Sequence, residues 1–407
     1  MTTNTVSQNR LVFLDNLRYS IVLLVVVLHV SLSYSPSVSW WYVLDSNNSW
    51  LFLTLCGVLD SFMMPVLFFI AGYFALTSQR RRTMGSFIIA KLKRLGIPLF
   101  FGLFFLVPVM PYMYHYTRTI TPLSFWEFWQ SFVKSVGDFK VTFFDEANMM
   151  NLMNGFNHHH LWFISLLLFF FIGFALLYQA KSKFLGTTSH SHSKDTTAKS
   201  MWIALFLTGI VISLGVILIN YLVSSVTWMN FYNVLFFQPT RLPLYLGLFA
   251  LGIYASSKNW FTKHHFKGSL IIWFIASIIL LFILLAVFAS ILNMMSHNAA
   301  DSIPFWLILM HGFVRTFFVL IFLVFLMSFT HRYWNRSSKI HQNLAASSYD
   351  IYLLHLPIVV ILQFLFLSVN ISIFFKFAII VLLTISLSYG ISHYFIHRLL
   401  RYRCSDN

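Results

Sequence analysis

Charge is what this chain lacks. Of its 407 residues only 9% are Asp, Glu, Lys or Arg, and only 11 are acidic. A soluble domain carries about 25% charged residues. Set against a hydrophobic content of 58%, the deficit excludes an ordinary soluble domain and points to a membrane protein. Cysteine is nearly missing too. Cys56 and Cys404 fall on opposite sides of the membrane in the topology below, so no disulfide between them is expected. No Cys-x-x-Cys pair marks a zinc or redox centre. No internal repeat is visible, which argues against an inverted-repeat transporter. No small-residue cleavage site follows the first apolar run, so that run is expected to be an uncleaved anchor. The net charge of +16 does not call for a nucleic-acid partner, because few of the basic residues sit inside apolar runs and they read as topology signals.

What is present is a series of apolar runs. About 20 apolar residues cross a bilayer as a helix. Ten spans are predicted, at 12–35, 50–77, 87–112, 160–179, 201–223, 236–255, 269–291, 304–327, 347–367 and 372–394. Basic residues gather in alternate loops: Arg80, Arg81, Arg82, Lys91, Lys93 and Arg94; Lys181, Lys183, Lys194 and Lys199; Lys258, Lys263 and Lys267; Arg332, Arg336 and Lys339; then Arg398, Arg401 and Arg403 in the tail. The intervening loops 36–49, 224–235, 292–303 and 368–371 have no Lys or Arg. This asymmetry places both termini in the cytoplasm. The expected fold is an all-α integral membrane protein with about ten transmembrane helices, forming one domain over residues 1–407. Pro65, Pro98 and Pro108 predict kinked or broken helices in the second and third spans. The external loop 113–159 is rich in aromatics and is expected to form short interfacial helices over the outer face. Segment 180–200, with its Ser189-His-Ser-His-Ser193 run, reads as a flexible cytoplasmic linker.

Polar side chains inside the apolar runs are the functional candidates, since a charge or an imidazole in hydrocarbon is costly. They are Arg18, His29, Asp60, His160, Arg241, His311, Arg315, Tyr349, Asp350, His355 and Lys376. For each, the structural alternative is an interhelical hydrogen bond or snorkelling. Lys376 is taken as snorkelling and Asp350 as a helix cap. Arg18 and His29 are separated by eleven positions. That spacing is nearly three helical turns, so both lie on one face, about 16 Å apart along the axis. A neutral imidazole can take a proton from a hydroxyl. Arg241 stands between Pro239 and Pro243, which implies a broken helix lining a cavity. The run His158-His159-His160 is not expected to hold a metal, because successive helical side chains diverge by about 100°. Ser348, Tyr352 and His355 share one helix face and are expected to line a cavity.

Several segments now resemble a known family. Arg18 and His29 form an Arg-x10-His pattern. Met63-Met-Pro-Val-Leu-Phe-Phe-Ile-Ala-Gly-Tyr73, Phe87-Ile-Ile-Ala-Lys-Leu-Lys-Arg-Leu-Gly-Ile-Pro98, His160-Leu-Trp-Phe163, Pro239-Thr-Arg-Leu-Pro-Leu-Tyr-Leu-Gly247 and Ser348-Tyr-Asp-Ile-Tyr-Leu-Leu-His355 follow in order. Together they resemble the membrane-bound acyltransferase family 3 over nearly the whole chain. The last two are most similar to the branch that includes glucan biosynthesis protein C. The resemblance implies transfer of an acetyl or succinyl group from cytoplasmic acyl-CoA to a hydroxyl of a cell-surface or periplasmic glycan. His29 carries over as the catalytic histidine and Arg18 as its motif partner. The family's Arg-x-x-Arg element falls on Lys91 and Arg94. Lysine in the first position keeps the charge but loses bidentate phosphate geometry. With Arg80, Arg81 and Arg82 these cations are the expected site for the coenzyme A phosphates.

The expected substrate-binding set is Asp60, His160, Trp162, Arg241, Ser348, Tyr352 and His355. Arg241 would meet an anionic acyl or acceptor group, and Trp162 would stack on a sugar face. His297 and Asp301 match the His-x-x-x-Asp of soluble CoA-dependent acyltransferases, but the glycine that follows there is missing, so the match is taken as chance. No permanently bound cofactor and no metal is expected. The expected partners are the bilayer, acyl-CoA and a glycan acceptor, with a homodimer left open, in a bacterial inner membrane. The competing reading is a proton-coupled transporter or flippase of a glycan or acyl-bearing small molecule, with His29, Asp60, His311 and His355 as a proton relay. A haem protein with paired histidine ligands is a third.

Overall fold

The computed structural model describes residues 11–145, 148–184, 198–263, 269–296 and 304–396. The His190 and His192 run of the linker, His297 and Asp301, the tail arginines 398, 401 and 403, and Cys404 lie outside the described residues.

Helix α1 (Val12–Leu32) is followed by the long α2 (Trp50–Gln79). The third span runs from Met84 to Tyr116 in pieces: α3 (Met84–Lys91), α4 (Ile97–Phe101) and α5 (Val109–Tyr116), joined by π-helical turns at Leu92–Gly96 and Gly102–Leu106. The breaks follow from Pro98 and Pro108, which have no N–H for the i→i−4 ladder. Pro108 cannot donate to the Phe104 carbonyl, and Trp129 Nε1 does so instead at 2.7 Å. Pro65, by contrast, lies within one continuous helix.

Trp129 belongs to α6 (Phe125–Lys134), a short outer helix started by a capping box between Ser124 and Glu127. Loop 113–159 thus contains a short helix. A three-stranded antiparallel sheet accompanies it, formed by β1 (Val141–Phe144), β2 (Trp228–Phe231) and β3 (Leu235–Phe237). The sheet departs from a purely helical reading. It arises because two outer loops, far apart in sequence, pair Val141 with Phe231 and Phe144 with Trp228.

Helices α7 (Trp162–Phe184), α8 (Ala198–Leu222), α9 (Leu242–Ser257), α10 (Trp260–Lys263), α11 (Leu270–Ser296), α12 (Phe305–Tyr333), α13 (Lys339–Leu365) and α14 (Ile373–Gly390) complete the bundle. Among the described residues nine helices are long and apolar enough to cross a membrane. The predicted span 236–255 differs. Its first residues are β3 and a 3-10 turn at Pro239–Arg241, and α9 itself has 16 residues. At 1.5 Å per residue that is about 24 Å, so α9 does not cover the full hydrocarbon thickness alone. Helix α13 begins at Lys339, eight residues before the predicted span. Asp350 therefore does not cap it and instead accepts from Ser392 Oγ at 2.6 Å. Lys376 does not snorkel either. It is buried and paired with Asp45 at 2.7 Å, because the outer loop folds back onto α14.

Helix α1 is central, packed against α2, α12, α13 and α14. Helices α2 and α9 form the most extensive pair. They cross where a methyl group on Gly72 would strike the Phe249 carbonyl, and one on Gly252 would strike the Phe69 carbonyl. Small residues at such crossings let backbones touch in a membrane. Gly72→Ala or Gly252→Ala is expected to cost about 1–3 kcal/mol or more through overpacking. Thermal unfolding of the purified variants checks this, and an unchanged midpoint would refute the close crossing.

Candidate functional site

His29 lies in the last turn of α1, yet it is partly buried. The segment 33–49 folds into the bundle over it. Trp41 stacks on the His29 ring with centroids 5.8 Å apart. Gln363 of α13 accepts from Trp41 Nε1 at 3.0 Å and donates to the carbonyls of His29 and Val30 at 3.3 and 3.2 Å. Arg118 donates to the carbonyls of Ser39, Trp41 and Tyr42. Burial pushes the Tyr42 phenol up, so it stays protonated and donates to His159 Nδ1 at 2.6 Å. Asp45, bonded to Lys376, fixes the far end.

Three imidazoles meet behind this plug. The His29 and His355 ring centroids are 5.0 Å apart, and those of His160 and His355 are 5.3 Å apart. Hydrogen bonds to carbonyls decide their tautomers. His355 Nδ1 lies 2.7 Å from the Tyr352 carbonyl and must donate to it. Its Nε2 is then an acceptor, 3.1 Å from His29 Nδ1. His29 Nδ1 also faces the Val25 carbonyl at 2.9 Å, so that nitrogen carries the hydrogen. The unprotonated nitrogen of neutral His29 is therefore Nε2. In the same way, Pro357 cannot donate to the Leu353 carbonyl, and His160 Nε2 takes its place at 3.2 Å. His160 Nδ1 is left buried and unpartnered among the described residues. The direct contact between His29 and His355 leaves no room for a haem iron between them. His158, His159 and His160 point to different partners, Ser165 and Asn233, Tyr42, and Leu353.

Below the imidazoles a cavity of about 180 Å³, partly open, is bounded by α1, α2, α3, α7, α13 and the first π-helical turn. Arg18, Lys91, Arg94, Ser348, Tyr349 and Tyr352 supply its polar lining. Arg18 is held by Asp15 at 3.2 Å and by the Ala345 carbonyl at 3.1 Å. Lys91 Nζ sits 3.8 Å over the Phe171 ring. Arg80, Arg81 and Arg82 are exposed at the end of α2 and do not line the cavity. The cavity also stops short of His29. It reaches Val22, two turns below on the same face of α1, and ends at Tyr352, whose hydroxyl donates to the His160 carbonyl. Ser348 and Tyr352 line it as expected, while His355 stands above.

A second polar group surrounds Asp60. Arg241 binds the Asp60 carboxylate through both oxygens, at 2.6 and 2.8 Å. Trp162 lies tilted against Tyr245, with ring centroids 5.4 Å apart, and edge-on to Trp228 at 5.8 Å. Sequence reasoning passed over Trp41, Gln363 and Tyr245. Of these, Gln363 carried a signal, as an amide in an apolar run.

Comparison with known proteins adds three findings. A family described as an acyltransferase domain matches residues 11–393. Glucans biosynthesis protein C of Escherichia coli (strain K12) is 37% identical over 97 residues, which is 24% of this chain and 24% of that protein. Its counterpart in Shigella dysenteriae serotype 1 is 36% identical over the same share of each. The matched stretch thus spans about a quarter of the length of these curated relatives. No solved structure matches.

Proposed function

Because the chain belongs to the acyltransferase family that matches it over residues 11–393, we propose that it is a membrane O-acyltransferase moving an acetyl or succinyl group from cytoplasmic acyl-CoA to a hydroxyl of a cell-surface or periplasmic glycan. A bacterial inner membrane is the setting this reading requires. The observation that carries it is the vertical order of parts. A cationic cavity with Arg18, Lys91 and Arg94 lies below a histidine whose basic nitrogen is fixed by two hydrogen-bond acceptors.

Coenzyme A is an anion, and guanidinium and ammonium groups at the cavity mouth suit its phosphates. The acyl end would point past Tyr352 toward His29. The acceptor hydroxyl gives its proton to His29 Nε2 as its oxygen attacks the thioester carbonyl. The new ester C–O bond forms and the C–S bond breaks, and coenzyme A leaves as a thiolate that takes up the proton. His355 does not touch the hydroxyl in this scheme. It shares the His29 Nδ1–H with the Val25 carbonyl, so that the two acceptors together hold the reactive tautomer and orient the ring.

His355→Leu removes that acceptor. Transfer is expected to fall by about 10²-fold in kcat, at the low end of what general-base catalysis supplies, with the donor KM little changed. A rise in KM with unchanged kcat would instead make His355 a binding residue. The reading as a whole is tested with labelled acetyl-CoA and then succinyl-CoA in membranes containing the protein and candidate glycans. Label in the glycan supports it. No label from either donor, with folded protein shown to be present, would favour the transporter reading.

A further inference from the structure

The group around Asp60 has one charge too many of one sign. Arg315 of α12 lies within the electrostatic reach of Asp60, Arg241 and Tyr245. Two guanidiniums thus share one carboxylate, which leaves an excess of 2 − 1 = +1. Arg315 is only 7% exposed. Among the described residues it makes no hydrogen bond or ion pair, since Asp60 is held by Arg241. The Arg241 Nε is also buried without a partner. An uncompensated guanidinium in a membrane interior is expensive and calls for a counter-anion.

The group also borders open space. Asp60 is ten residues into α2, and 45% of its side chain is accessible. Arg315 is likewise ten residues into α12. Both therefore sit about 15 Å below the outer helix ends. His355 is ten residues from the outer end of α13. Asp60 and His29 are near enough to interact electrostatically.

We propose that Arg315, with Arg241 and Tyr245, binds a carboxylate carried by one of the two reacting substrates. The proposal rests on the acyltransferase reading above and extends it to the charge of the substrate. A single excess positive charge matches a monoanion, and a guanidinium presents the fork that a carboxylate fills. The Asp60 carboxylate in the same group opposes a dianion such as phosphate. The carboxylate can enter from either side, as the far end of a dicarboxylic acyl group or as part of an acidic sugar acceptor.

Two arms separate these sources. Transfer from succinyl-CoA is compared with transfer from butyryl-CoA, which has the same chain length without the charge. A neutral gluco-oligosaccharide acceptor is compared with its uronate counterpart. In one arm the wild type is expected to prefer the carboxylate form, and Arg315→Gln to reduce that preference by about 30-fold or more, with Arg315→Lys intermediate. Preference in the donor arm assigns the carboxylate to the acyl group, and preference in the acceptor arm assigns it to the sugar. Turnover without preference in either arm, or a preference that Arg315→Gln retains, overturns the site. A measurement free of variants and of turnover is calorimetric titration of the wild type with monomethyl succinate, a monoanion, and with neutral dimethyl succinate. Binding of monomethyl succinate alone supports the site, and equal or absent binding of both counts against it. If the wild type transfers no acyl group at all, the acyltransferase reading fails, while the titration still decides whether the anion site exists.

Discussion

His29→Ala is expected to lower acyl transfer by about 10²–10⁴-fold, the range that a positioned general base supplies. The loss should appear in kcat. His29 does not line the cationic cavity, which ends at Val22 and Tyr352. Binding of a non-hydrolysable acyl-CoA analogue should therefore change by less than the rate does. Filter binding and labelled-donor turnover on the same membranes give the two numbers. Turnover close to the wild-type rate would move the base elsewhere, with His160 Nδ1 next because it is buried and unpartnered among the described residues. His29→Gln sharpens the result. It retains a side chain of similar reach in the stack on Trp41, so a packing role would be largely restored while proton transfer would not.

The second large effect concerns stability. Lys376 and Asp45 are bonded at 2.7 Å with 5% and 4% of their side chains exposed. Lys376→Met leaves the Asp45 carboxylate buried without its cation, and removing one partner of a buried pair costs about 3–5 kcal/mol. The double variant with Asp45→Asn should recover much of that loss, because the isolated charge is then gone. Thermal unfolding in detergent reads both. A single variant as stable as the wild type would mean that the pair does not anchor segment 33–49. Activity should follow stability in sign, since the same segment carries Trp41 onto His29.

These two sites also show what the sequence could and could not reveal. Arg18 and His29 were legible because each is costly in an apolar run and their spacing fixes a common helix face. The spans were legible for a related reason, since hydropathy reports the surrounding lipid directly. Lys376 was misread because its partner Asp45 is 331 residues away and lies in a loop. Nothing local distinguishes a snorkelling lysine from a paired one. The inward fold of segment 33–49 was invisible for the same reason, since Arg118, Gln363 and Lys376 hold it from three separate parts of the chain. Lys91 and Arg94 line the cavity, whereas Arg80, Arg81 and Arg82 are exposed outside it. Charge density located the mouth, and only the geometry of the third span decided which cations turn inward. The start of α9 was misplaced because the aromatic run of β3 has the hydropathy of a span without its conformation.

Pro357 and His160 raise a matter of inheritance. The proline, by lacking an N–H, leaves the Leu353 carbonyl open to the imidazole from 193 positions earlier. Restoring an ordinary residue at 357 would offer that carbonyl a partner from its own helix and make the histidine redundant there. Pro108 and Trp129 stand in the same relation through the Phe104 carbonyl. Each proline and its distant donor should therefore vary together among homologues, lost as a pair or kept as a pair. Two lineages that differ at only one member of such a pair would carry either a competing donor or a stranded carbonyl.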